Sequence, residues 1–134
     1  MVRLAASGAS IVDEAPVGRL ASDGKGLLPV DGTALKDRRR VTFNGSAVAT
    51  LVVDRRGEPL APPKISTIGV VEPAAAEAAV PALRSAVERA LDELTGSLRR
   101  DDEAVRDAAR RALRRILNER FGKRPLVEIH LVRI

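Results

Sequence analysis

The stretch from Asp101 to Ile134 constrains this chain most, because the apolar period within it changes from helical to extended. Val105, Ala108, Ala109, Ala112, Leu113, Ile116, Leu117 and Phe121 recur at three-and-four spacing, so they share one stripe of a helix. Asp101, Asp102 and Glu103 offer a cap and negative charge where a helix begins. Gly122 can take the left-handed conformation just past the last turn, and Pro125 blocks continuation. From Leu126 the period is two: Val127, Ile129 and Leu131 fall on one face, and Glu128, His130 and Val132 on the other. Burying Val105, Leu113, Ile116, Leu117 and Phe121 is worth roughly 1.5–3 kcal/mol each. A surface ion pair is worth about 0–1 kcal/mol. Packing therefore positions this helix, and its arginines are left for other work.

Upstream, Ser46 to Asp54 is an apolar, β-branched run, predicted as a central strand with both faces covered. Asp37-Arg38-Arg39-Arg40 reads as the lead into it. Asp54-Arg55-Arg56-Gly57-Glu58 is a turn with Gly57 at positive φ. Pro59, Pro62 and Pro63 delay an antiparallel return strand to about residues 65–71. Glu72-Pro73 opens a long helix whose buried face is Val80, Leu83, Val87, Ala90, Leu91 and Leu94. Pro81 conflicts with its opening turns and predicts a kink or a late start. Thr95-Gly96-Ser97 separates this helix from the next. The predicted fold is α+β: a small two-layer sandwich in the order ββααβ, with two helices on one face of a three-stranded sheet. Residues 1–36, punctuated by Gly8, Gly18, Gly24, Gly26, Gly32, Pro16 and Pro29, read as an irregular extension of short strands and loops. The expected division is thus 1–36, the tail of a preceding domain, and 37–134, the α/β body.

Length and composition narrow the function. A chain of 134 residues fits one domain with an extension. With two Phe and no Trp or Tyr, the core must come from Val, Leu, Ile and Ala. No Cys is present, which excludes thiolate chemistry and fits a reducing cytoplasm, the expected location. No apolar run approaches the length of a membrane span, and the N-terminus lacks the apolar stretch of a secretory signal. The net charge of +5 arises from residues 99–134, which hold 11 basic and 6 acidic side chains. Such a surplus favours polyanions, RNA among them.

Three function classes compete: hydrolysis, binding and association. For hydrolysis, a metal site needs several converging His and Asp ligands, and His130 is the only histidine. Asp23-Gly24-Lys25-Gly26 lacks the spacing of a phosphate loop. No catalytic or metal-ligating set emerges, and no cofactor is expected in this chain. For binding, Arg106, Arg110, Arg111, Arg114 and Arg115 form parallel rows extended by Arg120, Lys123 and Arg124, which suits phosphate contacts. Without interleaved Tyr or Trp, such contacts would be to RNA backbone and salt-sensitive. The same arginines could instead pair with Glu77, Glu88, Asp92 and Glu93 of the preceding helix. For association, the final strand offers a sheet edge through Val127, Ile129, His130, Leu131 and Val132, and predicts a homo-oligomer.

Taken in order, several segments resemble the C-terminal domain of ribonuclease J, of the metallo-β-lactamase/β-CASP class. They are Val17-Gly18-Arg19-Leu20 with Val30-Asp31-Gly32, then Asp37-Arg38-Arg39-Arg40 leading to the strand ending at Asp54, and Ile65 to Gly69 with Val70-Val71. Arg120-Phe121-Gly122-Lys123-Arg124-Pro125 before the terminal strand is the most specific. The likeness covers about residues 12–134. Ile68 stands where members often carry Arg before Gly, Leu126 where they often have Met, and Glu128–Ile129 where a second Pro is common. The resemblance implies a parent enzyme of bacterial and archaeal RNA processing and decay. That parent would cleave RNA with zinc, both exonucleolytically from the 5′ end and endonucleolytically. It further implies that this part is non-catalytic, excised from the catalytic body with Met1 added, and supports oligomer assembly and activity. A partner protein of RNA decay stays open, and no membrane partner is implied.

Overall fold

The computed structural model describes residues 19–134, so the readings placed on Gly8, Pro16 and Val17-Gly18 lie outside the described residues. The elements are β1 (Leu20–Asp23), β2 (Gly26–Pro29), α1 (Thr33–Asn44), β3 (Ser46–Val53), β4 (Lys64–Ile68), α2 (Pro73–Asp92), α3 (Gly96–Arg99), α4 (Asp102–Phe121) and β5 (Leu126–Arg133). Two compact units result, one ending at Arg39 and the other running Arg40–Ile134, so the division falls inside α1. The sequence-based boundary at 36/37 also lies inside this helix.

In the first unit β1 and β2 pair antiparallel around Gly24, whose φ is +53°. Arg38 donates to the Asp23 carboxylate at 2.6 Å, and that bond holds the Asp23 pKa below its ordinary value.

In the second unit the sheet order is β4-β3-β5, with β4 antiparallel and β5 parallel to β3. The alternation expected for the final strand is observed in β5. Ala47, Ala49, Leu51, Val53, Ile65, Val127 and Ile129 are buried on the face toward the helices. They meet Ala79, Leu83, Val87 and Leu91 of α2 and Val105, Ala109, Leu113 and Leu117 of α4 in one core. That is the predicted two-layer α+β sandwich, two long helices on one face of three strands.

Local signals explain α4 well. The Asp101 side chain accepts from the Glu103 and Ala104 amides at 2.9 and 3.3 Å, capping the first turn. Gly122 closes the helix at φ +66°.

The structure corrects four expectations. Asp37–Arg40 is not a lead-in but the middle of α1, a helix framed by Gly32 and Gly45. None of its residues is buried, so it has no apolar stripe for periodicity to reveal. β3 is central but covered on one face only: Val48, Thr50 and Val52 are half-exposed on the other. The return strand stops at Ile68, because Gly69 turns at φ +72° and sends Val70 into the core. Finally, α2 starts at Pro73 and continues through Pro81, which takes an exposed position. The Thr95–Ser97 break also carries one short helical turn, α3.

Candidate functional site

The predicted RNA-contact residues separate into three groups, with Arg120 apart from all of them. Arg106, Arg110 and Arg111 are paired along α4 itself. Arg106 bonds Glu103 at 2.8 Å, and Arg110 and Arg111 bond Asp107 at 3.3 and 2.7 Å. Helical neighbours three and four apart meet without help from the rest of the fold. Among the described residues no ion pair joins α4 arginines to Glu77, Glu88, Asp92 or Glu93 of α2.

Lys123 is occupied with the backbone, its Nζ donating to the Val70 and Phe43 carbonyls at 3.2 and 3.4 Å. Beside it the Arg124 amide donates to Asn44 Oδ1 at 3.0 Å. These bonds tie the loop after α4 to the end of α1 and the turn after β4.

Arg114, Arg115 and Arg124 form the third group and are joined by Arg40 of α1. With Asn118 they line a notch of about 240 Å³ that, among the described residues, no acidic side chain borders. Arg40 Nε donates to the Arg124 carbonyl at 3.2 Å, which fixes one wall. Partial burial, then the charges of Arg40 and Arg110, push the Arg114 pKa below its ordinary value; Asp107 opposes this. Arg120 stands apart, its guanidinium 5.9 Å from the centre of the Phe121 ring.

Sequence reasoning missed Arg40, because it lies 84 residues from its partner Arg124. It also missed Phe43, an exposed aromatic ring three residues farther along α1. Its place as one of only two Phe, three residues past the Arg38-Arg39-Arg40 run, was the available signal.

The strand-edge candidates divide as well. Val127 and Ile129 point into the core, and Leu131 is half-buried. His130 and Val132 stand exposed on the open face. β5 is an edge strand over eight residues. Near it and across the open face, Leu60, Ile68, Val132 and Ile134 are large apolar side chains left exposed. The Leu60 amide bonds the Val52 carbonyl at 2.8 Å, which sets Leu60 beside the β3 row.

At the other end of α4 a second arginine pair is fully engaged. Arg99 reaches Glu58 at 2.5 Å and the Leu94 and Asp92 carbonyls at 3.0 Å. Arg133 reaches Asp102 at 2.9 Å and the carbonyls of Asp54, Arg55 and Arg99 at 3.1, 3.3 and 3.0 Å. Among the described residues no group of three or more His, Cys, Asp or Glu side chains could hold a metal ion. No described helix is long and apolar enough to cross a membrane.

Fold and surface define a small α+β domain with an arginine-lined notch at one end and an unpaired sheet edge along one side. Residues 33–134 match the ribonuclease J C-terminal domain, and the chain belongs to that family. It is 32% identical over 135 residues to a ribonuclease J of Sinorhizobium meliloti, covering all of this chain and 24% of that protein. It is 25% identical over 118 residues to ribonuclease J2 of Bacillus subtilis, covering 87% of this chain and 21% of that protein. The chain thus spans about a quarter or less of the length of the curated relatives it matches.

Proposed function

We propose that this chain serves as the non-catalytic assembly domain of a zinc-dependent ribonuclease acting exo- and endonucleolytically in the cytoplasm. The zinc and the catalytic step belong, on this reading, to a part of the parent outside this chain. The observation that carries the proposal is the β5 edge, eight residues of strand with no neighbouring strand on one side among the described residues. Antiparallel pairing of β5 with its copy about a two-fold axis would join two such sheets and cover exposed Val132 and Ile134. Light scattering at micromolar concentration tests it. A dimer that V132K/I134K converts to monomer supports the reading, and a wild-type monomer with intact fold rejects it. RNA hydrolysis by the chain with added zinc would reject the non-catalytic assignment.

A second reading is that the basic stripe contacts RNA backbone in the parent enzyme. It is favoured by the absence of acids from the Arg40–Arg114–Arg115–Arg124 notch. Changing Arg110, Arg111, Arg114 and Arg115 to Glu should abolish salt-dependent RNA binding; unchanged binding rejects it. Docking of another protein of RNA decay would show instead as a partner that survives these changes.

A further inference from the structure

We propose that Arg40, Arg114, Arg115 and Arg124, with Asn118, form a notch for consecutive phosphodiesters of single-stranded RNA, flanked by Phe43 as a stacking platform for a base. The inference rests on the RNA-contact reading above and confines it to one place on the domain.

Position supplies the first reason. The four arginines come from three separate parts of the chain: α1, α4 and the loop before β5. Their meeting is therefore a product of the fold rather than of helical repetition. The bond from Arg40 Nε to the Arg124 carbonyl uses one donor and leaves the terminal nitrogens of Arg40 for a ligand.

Charge supplies the second. Neighbouring like charges repel, and in the first half of α4 Glu103 and Asp107 pair with Arg106, Arg110 and Arg111. At the notch, four guanidinium groups and an amide converge with no carboxylate among the lining residues. Beside the effect of burial, the lowered Arg114 pKa carries the repulsion of Arg40 and Arg110. An anion would relieve that repulsion. The planar guanidinium fork matches the paired oxygens of a phosphodiester, and several forks suit more than one.

Phe43 favours RNA over a bare polyphosphate. The residue is 77% exposed, and it lies three residues from Arg40 in α1, the spacing of side-chain neighbours on a helix surface. Any base can stack on such a ring, so the site would read strandedness rather than sequence. The Lys123 bond to the Phe43 carbonyl holds this turn against the loop that carries Arg124.

The experiment is fluorescence anisotropy of the whole chain with labelled oligouridine across a salt series. Thermal unfolding of every variant checks the fold. In R40Q/R114Q the slope of log affinity against log salt should shrink by about 0.7 for each phosphate no longer neutralised, about 1.4 for the pair. R106Q/R111Q, whose guanidinium groups already pair with Glu103 and Asp107, should reduce the slope clearly less. F43A should weaken binding roughly 5-fold or more without altering the slope. Equal losses in both arginine pairs would reject the notch while keeping the broader RNA reading. Absence of salt-dependent binding by the wild type would reject both. Competition by inorganic triphosphate, with F43A indistinguishable from wild type, would reject RNA as the ligand.

Discussion

The two ends of α4 use arginine in opposite ways. Where α4 begins, Arg99 and Arg133 spend their donors on Glu58, Asp102 and five backbone carbonyls, and each side chain is largely covered. Toward its end, Arg114, Arg115, Arg124 and Arg40 face one notch with no acid on its walls. The first group closes the domain: it binds the β3–β4 turn, α3 and the last residues of β5 to one another. The second does little for the fold that a neutral side chain could not do. Residue type is the same at both ends, and what separates them is the supply of acceptors.

The largest break in this contrast should come from the turn that presents acceptors to the closed end. Gly57 has φ +88°, and a Cβ there would strike the Arg99 carbonyl oxygen. G57A should therefore cost at least about 3 kcal/mol in urea unfolding. A loss under about 1 kcal/mol would mean the turn and α3 are not rigidly joined.

Next is the direct exchange of one arginine from each end. R133A removes four hydrogen bonds and should cost about 2–3 kcal/mol. R114Q should leave stability within about 0.5 kcal/mol of wild type, or raise it as repulsion falls. Equal destabilisation by the two variants would mean that both ends of α4 use arginine structurally.

The smallest effect sharpens the closed end. Asp54 Oδ1 accepts from the Glu58 and Arg56 amides at 2.9 and 2.8 Å, and these bonds, the Glu58 amide foremost, hold its pKa below the ordinary carboxylate value. A carboxylate depressed on folding contributes stability that is complete above its unfolded pKa, near 3.9. That contribution disappears as pH falls through the lower folded value. The stability difference between wild type and D54N should therefore be constant near neutrality and narrow below about pH 4. Urea midpoints across an acidic pH series measure it, and no narrowing would assign the turn to backbone bonds alone.

How much was legible depended on how local the cause was. The helix Asp102–Phe121 and strand Leu126–Arg133 were read from periodicity, with the Asp101 cap and Gly122 stop matched by the geometry. Gly57 in the positive-φ turn was equally local. The helix α1 was missed because its exposed surface carries no apolar repeat. Of the predicted stripe, only the sequence neighbours Asp107 and Glu103 could have indicated that Arg106, Arg110 and Arg111 are already paired. The remaining open positions could not be separated without knowing what α1 brings to them. Val127 and Ile129 show the same limit: alternation put them on a face, but only packing decided that this face is the core and not an interface.

By itself the sequence determined the elements whose causes lie within a turn or a strand: capping, left-handed stops, the amphipathic stripe of α4 and the alternation of β5. These depend on contacts over a few residues, and the order of side chains already contains them. Beyond the local pairs of Arg106, Arg110 and Arg111, the tertiary structure alone decided which arginines are satisfied. Acceptors for Arg133 come from residues 31 to 79 positions away, and the walls of the notch from positions as distant as Arg40 and Arg124. Outside a single helix, charge pairing acts through space over a few ångströms, so separation along the chain carries no information about it until the helices have packed on the sheet.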